Sequence, residues 1–134
     1  LTLGEGRTTL AAGANLTGGK VTVHGTLAVQ AAATVKSLDL AGGTLEIGED
    51  TMLTVTDPLT TVGTVRVASA DRSCAAWRTP RPFLKGPNLT AATVSRIVNT
   101  SDREYTWDVT VTDEGGMKVC SLCRRPLGFA IIVK

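Results

Sequence analysis

Three cysteines, one histidine and a few grouped carboxylates are the residues on which reactive chemistry would rest. Cys120-Ser121-Leu122-Cys123 is a C-x-x-C pair, and Cys74 stands apart from it. A structural zinc site takes four ligands, usually two such pairs or a mixture of Cys and His. The only histidine, His24, is remote in sequence, so the set falls short of a zinc site. A dithiol redox centre places its pair ahead of a helix, whereas Arg124-Arg125-Pro126 follows here. The expected chemistry is a disulfide from Cys74 to Cys120 or Cys123, with an internal Cys120–Cys123 bridge as the rival. Either leaves one odd thiol, and either suits an oxidising compartment.

His24 sits beside Gly25 at a corner with no base partner in its neighbourhood. Glu46, Glu49, Asp50 and Asp57 are the densest carboxylates. Calcium needs several oxygen ligands from one loop, and paired catalytic carboxylates need a shared exposed face. The spacing here gives neither, so no catalytic residue, metal or cofactor is expected. Arg72, Arg78, Arg81 and Lys85 interleave with Trp77 and Phe83. Basic and aromatic side chains together can hold an anionic ligand, which makes Trp77, Arg78, Arg81 and Phe83 a candidate ligand patch. The competing reading packs both rings inward and leaves the guanidinium heads in solvent. A formal net charge of +2 argues against nucleic acid as a partner. Asn15-Leu16-Thr17, Asn88-Leu89-Thr90 and Asn99-Thr100-Ser101 are glycosylation triplets, meaningful only in a eukaryotic secretory pathway.

The elements that carry these residues read as strands. Hydrophobic residues make up 43% of the 134-residue chain but aromatics only 4%, so the core must be aliphatic. Three phrases repeat: Gly25-Thr26-Leu27-Ala28-Val29, Gly43-Thr44-Leu45-Glu46-Ile47 and Gly63-Thr64-Val65-Arg66-Val67. Each alternates, so Leu27/Val29, Leu45/Ile47 and Val65/Val67 share one face. Further short strands flank them at Val21–Val23, Ala33–Val35, Leu38–Leu40 and Leu53–Val55, predicting three short strands per period. Such strands are too short for an isolated flat sheet, but stacked in register they bury one side of every turn. Lys20, Thr22, Asp39, Glu46, Thr54 and Arg66 fall on the outer side. Hairpin signals such as Asn-Gly are absent from this half. The expected fold is therefore all-β, a parallel β-helix or solenoid of about three short turns over residues 1–68.

The stretch from Thr9 to Val55, with "LDLAGGTLEI" at its centre, resembles the autotransporter-associated β-strand repeat of bacterial surface proteins. The resemblance covers about residues 1–68. It implies a right-handed solenoid and an extracellular or cell-surface setting, and it carries no catalytic residues across.

After Ala68 the rhythm stops. Residues 1–68 hold four basic and six acidic side chains, whereas residues 69–134 hold ten basic and six acidic. Pro80, Pro82 and Pro87 predict an irregular crossing rather than a central strand. Glu104–Cys120 reads as a β-hairpin around Asp113-Glu114-Gly115-Gly116, with Tyr105, Thr106, Trp107, Val109 and Val111 making one face aromatic and branched. Phe129–Val133 reads as a last strand. Residues 69–134 are thus expected to form a small antiparallel end cap. That order resembles the C-terminal segments of the same repeat proteins and implies that the chain closes at Lys134. No apolar run reaches the roughly 18 residues of a membrane span. The expected role is a structural stalk and end cap whose partner is upstream solenoid repeats of the same protein. The alternatives are an adhesin-like module binding a glycan or surface protein through the cap, and a fragment of a β-helical polysaccharide-active enzyme.

Overall fold

A computed structural model describes residues 2–4, 6–11, 13, 15–40, 42–48, 50–59, 63–68, 75–90, 93–99 and 105–125. Among the described residues twelve strands follow in order: β1 (Thr2–Leu3), β2 (Arg7–Leu10), β3 (Asn15–Val23), β4 (Thr26–Val29), β5 (Ala32–Asp39), β6 (Thr44–Ile47), β7 (Met52–Val55), β8 (Gly63–Val67), β9 (Arg81–Gly86), β10 (Val94–Asn99), β11 (Trp107–Glu114) and β12 (Met117–Arg124). A 3-10 turn, Ala75–Arg78, precedes β9. The all-β class matches the expectation. Among the described residues, no helix is long and apolar enough to cross a membrane.

Up to β10, successive strands go alternately to two sheets. The five-stranded sheet runs β2-β4-β6-β8-β10 with β10 at one edge, and every pair in it is parallel. The seven-stranded sheet runs β1-β3-β5-β7-β9-β12-β11. It is parallel as far as β9 and antiparallel across β9, β12 and β11. In the parallel sheet Arg7 faces Thr26, Thr26 faces Thr44 and Thr44 faces Thr64. Each strand therefore meets the chain again 18 to 20 residues later. At the last pair the interval lengthens, because Thr64 faces Arg96.

The inner faces explain the alternation read from the sequence. Leu27, Leu45 and Val65 form one fully buried column, and Ala33, Leu53, Leu84 and Cys120 form another across the mixed sheet. Full burial of a Leu or Val side chain is worth about 1.5–3 kcal/mol, and neighbours along each column exclude water from one another. Glycine opens the first two repeated phrases for a steric reason, and the third at a positive φ of 78°. A Cβ on Gly25 would lie 2.2 Å from the Gly6 carbonyl oxygen, and one on Gly43 would lie 2.7 Å from that of Gly25. These corners stack backbone on backbone, and the Thr26 and Thr44 amides each donate to the stacked carbonyl at 2.8 Å.

Four features depart from the sequence reading. First, a period holds two strands rather than three. Lys36 and Ser37 carry the chain straight from Val35 to Leu38, so β5 is one strand of eight residues. Its partner β3 absorbs the mismatch as an irregularity between Leu16 and Lys20. Second, the Pro-rich crossing contains a strand inside a sheet. β9 lies between β7 and β12 and includes Pro82. It pairs with β7 only at Leu84 and Lys85, and its register with β12 shifts between Leu84 and Pro82. Proline's missing N–H is tolerated at such a bulge. The bulge also turns two consecutive residues, Phe83 and Leu84, into the core. Third, the hairpin is longer and its turn tighter than expected. Glu114 pairs with Met117, leaving Gly115 and Gly116 at φ 61° and 86° as a two-residue turn. Fourth, the two sheets continue past residue 68 through β9 and β10, so packing does not break where the charge balance changes.

Candidate functional site

Two places gather the polar and aromatic residues that the sequence singles out: the outer face of the parallel sheet, and the region around the 3-10 turn. On the outer face, Thr9, Ala28, Glu46 and Arg66 face one another in register across β2, β4, β6 and β8. The sequence placed Glu46 on a solvated exterior, but its side chain is only 7% exposed. Arg7 reaches across the small Ala28, and its guanidinium lies 2.5 Å from Glu46 Oε2. The same guanidinium donates to Glu46 Oε1 at 3.1 Å. Arg66 comes from the other side, 3.6 Å from Oε1. One carboxylate is thus flanked by two cations, and with Arg7 it lines a depression of about 290 Å³ that Ala28, Gly48, Asp50 and Thr51 also line. The signal was available in the aligned phrases, whose fourth positions read Ala28, Glu46, Arg66. Opposite charges at matched positions of neighbouring strands attract, and an alanine beside them leaves room for a long side chain to cross.

Around the 3-10 turn the candidate ligand patch comes apart. Trp77 and Phe83 are fully buried. The Trp77 ring meets Trp107 edge to face, with centroids 5.8 Å apart and planes at 83°, an arrangement worth about 0.5–1.5 kcal/mol beyond burial. Arg78 is exposed, while Arg81 is half-buried and pairs with Asp50 at 3.3 Å. Lys85 pairs with Glu114 at 3.3 Å. The rings therefore serve the core, and only guanidinium groups of the set reach solvent. Arg72 and Glu49 lie outside the described residues.

The thiols also separate. Cys120 and Cys123 are both free, and strand geometry sends side chains three positions apart to opposite faces. Their Cα atoms stand about 10 Å apart at ~3.3 Å per residue, beyond the ~7 Å limit for a disulfide. The internal bridge of the C-x-x-C is thus out of reach while β12 is formed. Cys120 belongs to the core column, and burial pushes its thiol up to about 11. Cys123 is half-buried and its Sγ–H donates to the Arg78 carbonyl at 3.3 Å. Cys74 lies outside the described residues, as do residues 126–134 with the last strand expected there.

The remaining candidates stay apart. His24 is exposed at its corner. Asp57 pairs with Lys36 at 3.6 Å. At the far end of the hairpin, the Arg125 guanidinium bonds to Asp108 and holds its carboxyl below the usual range. Among the described residues, no three His, Cys, Asp or Glu side chains cluster as metal ligands would. The Glu46 group is an ion-pair tie across three strands. No protein family, no curated protein and no solved structure matches the chain.

Proposed function

We propose that the chain is a non-catalytic structural segment of an exported bacterial surface protein: a short β-solenoid serving as a stalk, with residues 69–134 as its end cap. The observation that carries this reading is the strand pairing. Strands pass alternately to two sheets, and each joins in parallel the strand 18 to 20 residues away in the repeats. A chain with that connectivity adds one layer per repeat, with aliphatic columns inside and backbone ladders along its length. Mechanical resistance follows from such ladders without any reactive group. The burial of Trp77 and Phe83 favours this role over a binding module, which would present its aromatic rings to a ligand. The surface setting rests on the repeat resemblance, and the partner is upstream repeats of the same kind.

The test pairs force with chemistry. Pulled from its two ends, a stacked chain gives up repeats one at a time, about 6–7 nm of contour each at ~3.5 Å per residue. Incubation with a panel of neutral and acidic polysaccharides leaves them uncut and unbound. Release of new sugar ends, or glycan binding that Arg66→Ala or Arg78→Ala abolishes, would replace this reading with the enzyme fragment or the adhesin-like module.

A further inference from the structure

The ladder between β4 and β6 stops one step short of the ladders beside it. β2 and β4 pair as far as Leu10–Val29, and β6 and β8 as far as Ile47–Val67. Between β4 and β6 the last pair is Ala28–Glu46. The cause is local. The Gly48 amide donates to Thr51 Oγ at 3.1 Å, and the Thr51 hydroxyl donates back to the Gly48 carbonyl at 3.2 Å. A hydroxyl three residues on engages the backbone of Gly48, as Ser and Thr do in turns, and draws the chain out of the ladder. The depression of about 290 Å³ opens at this splay, between Val29 and Gln30 on one strand and Ile47 and Gly48 on the other. Gln30 and Asp50 bring exposed polar side chains to it, and Asp50 is held by Arg81 at 3.3 Å.

Two arginines converge beside this depression. Their strands, β2 and β8, lie three ladder steps apart, roughly 14 Å at ~4.8 Å per step. Arg7 and Arg66 nevertheless meet at Glu46, which is almost fully buried beneath them. A guanidinium carries five N–H donors in a planar fork. Arg7 gives Glu46 two of its nitrogens, at 3.1 Å to Oε1 and 2.5 Å to Oε2. Arg66 stays 3.6 Å from Oε1, beyond hydrogen-bond reach. Most donors of the pair are therefore not spent on Glu46, and both side chains stay about half exposed. The carboxylate sets the two forks in place, and the small Ala28 leaves room for one of them to cross.

Two forks on either side of one buried carboxylate suit a particular ligand. A further carboxylate has two oxygens in one plane and fills one fork. A phosphate monoester has three terminal oxygens in a tetrahedral array and close to two negative charges, so it faces both forks at once. We propose that Arg7 and Arg66 form a receptor for the phosphate of a small phosphomonoester, whose hydroxylated body lies in the depression between β4 and β6. Gln30 and Asp50 offer that body a donor and acceptors. The site goes beyond the structural role proposed above and does not depend on it.

Titration of the full chain with glycerol 3-phosphate tests it, in about 0.1 M salt, where loose charge attraction is screened over ~10 Å. Saturable binding in the millimolar range or tighter is expected, at least about tenfold tighter than for inorganic phosphate or for glycerate, which has a carboxylate in place of the phosphate. Arg66→Gln is expected to weaken binding at least about tenfold, as loss of a charge-assisted pair does. Arg66→Lys keeps the charge without the fork and should fall between the two, while Arg78→Gln, at an exposed arginine elsewhere, binds as the unaltered chain does. Unchanged thermal unfolding of the Arg66 variants shows that the fold is kept. Absence of saturation below about 20 mM, or equal weakening by Arg66→Gln and Arg78→Gln, overturns the receptor. Inorganic phosphate or glycerate binding as tightly as the ester overturns the choice of ligand. Binding confined to vesicles of phosphatidic acid assigns the face to a membrane surface and overturns the proposal as well.

Discussion

Glu46 is a buried carboxylate on the outside of a sheet, and its neighbours decide what it contributes. Arg7 and Arg66 remain 58% and 41% exposed, so solvent screens much of the attraction. Glu46→Gln keeps the shape but removes the charge, and should cost about 1 kcal/mol in urea unfolding, a loss that shrinks in high salt. A loss above about 3 kcal/mol would mean that the pair behaves as fully buried. Cys120 gives the opposite case, a titratable group whose neutral form suits the core. Its folded value of about 11 lies above the ordinary 9.0 because burial disfavours the thiolate. Its contribution is therefore complete below pH 9 and is lost as pH rises from 9 towards 11. Below pH 9 the alkylation of Cys120 should be at least about tenfold slower than that of Cys123, as read by mass spectrometry. Of the two residues, the sequence disclosed Cys120 only as a disulfide candidate, because C-x-x-C spacing looks alike on a loop and on a strand. Glu46 was misplaced because an outward position on a strand was equated with exposure, whereas a long arginine from two strands away covers it.

At the scale of the element, the repeated Gly-Thr phrases were legible because their physical constraint is strict. β4, β6 and β8 lie within the three phrases, and the glycine before each inner pair marks a corner. Gly25 is the most constrained of these. Gly25→Ala places a methyl carbon 2.2 Å from a backbone oxygen that belongs to another corner and cannot rotate away. It should destabilise the protein by more than about 2 kcal/mol, as overpacking against backbone does, and Gly13→Ala, where nothing lies within 4 Å, separates this clash from the strain of a positive φ. Thermal unfolding of the two variants checks the order. β9 was illegible for an equally physical reason. Proline argues against an internal strand only where every N–H is required, and Pro82 sits where the register slips and β7 offers no partner. The tight turn at Gly115-Gly116 was found but read two residues too wide, since polar Asp113 and Glu114 suit a loop and an exposed strand end equally well.

For the whole molecule, composition and periodicity disclosed the all-β class, and both sheets run on past the charge change near residue 69. β9 continues one sheet and β10 the other, and Asn88 Oδ1 accepts from the Leu59 amide at 2.8 Å. A change in surface charge reports on solvent-facing side chains, while continuity of packing depends on inward ones, and Leu84, Phe83 and Leu89 are as buried as the leucines of the repeats.

The regular interval at which strands meet has a consequence for length. Residues 26–43 contain one strand of each sheet together with the corner that joins them to the next phrase, and Thr26 and Thr44 occupy equivalent places in the ladder. A tandem copy of this stretch inserted after Gly43 would present β6 with the same partner edge it has now, and would set a second Glu-free rung between Arg7 and Glu46. Such a chain should fold with one more strand in each sheet and a longer axis in small-angle scattering, while Arg7 loses its reach to the carboxylate. The molecule would then behave as a ruler whose divisions can be copied, at the cost of one ion pair.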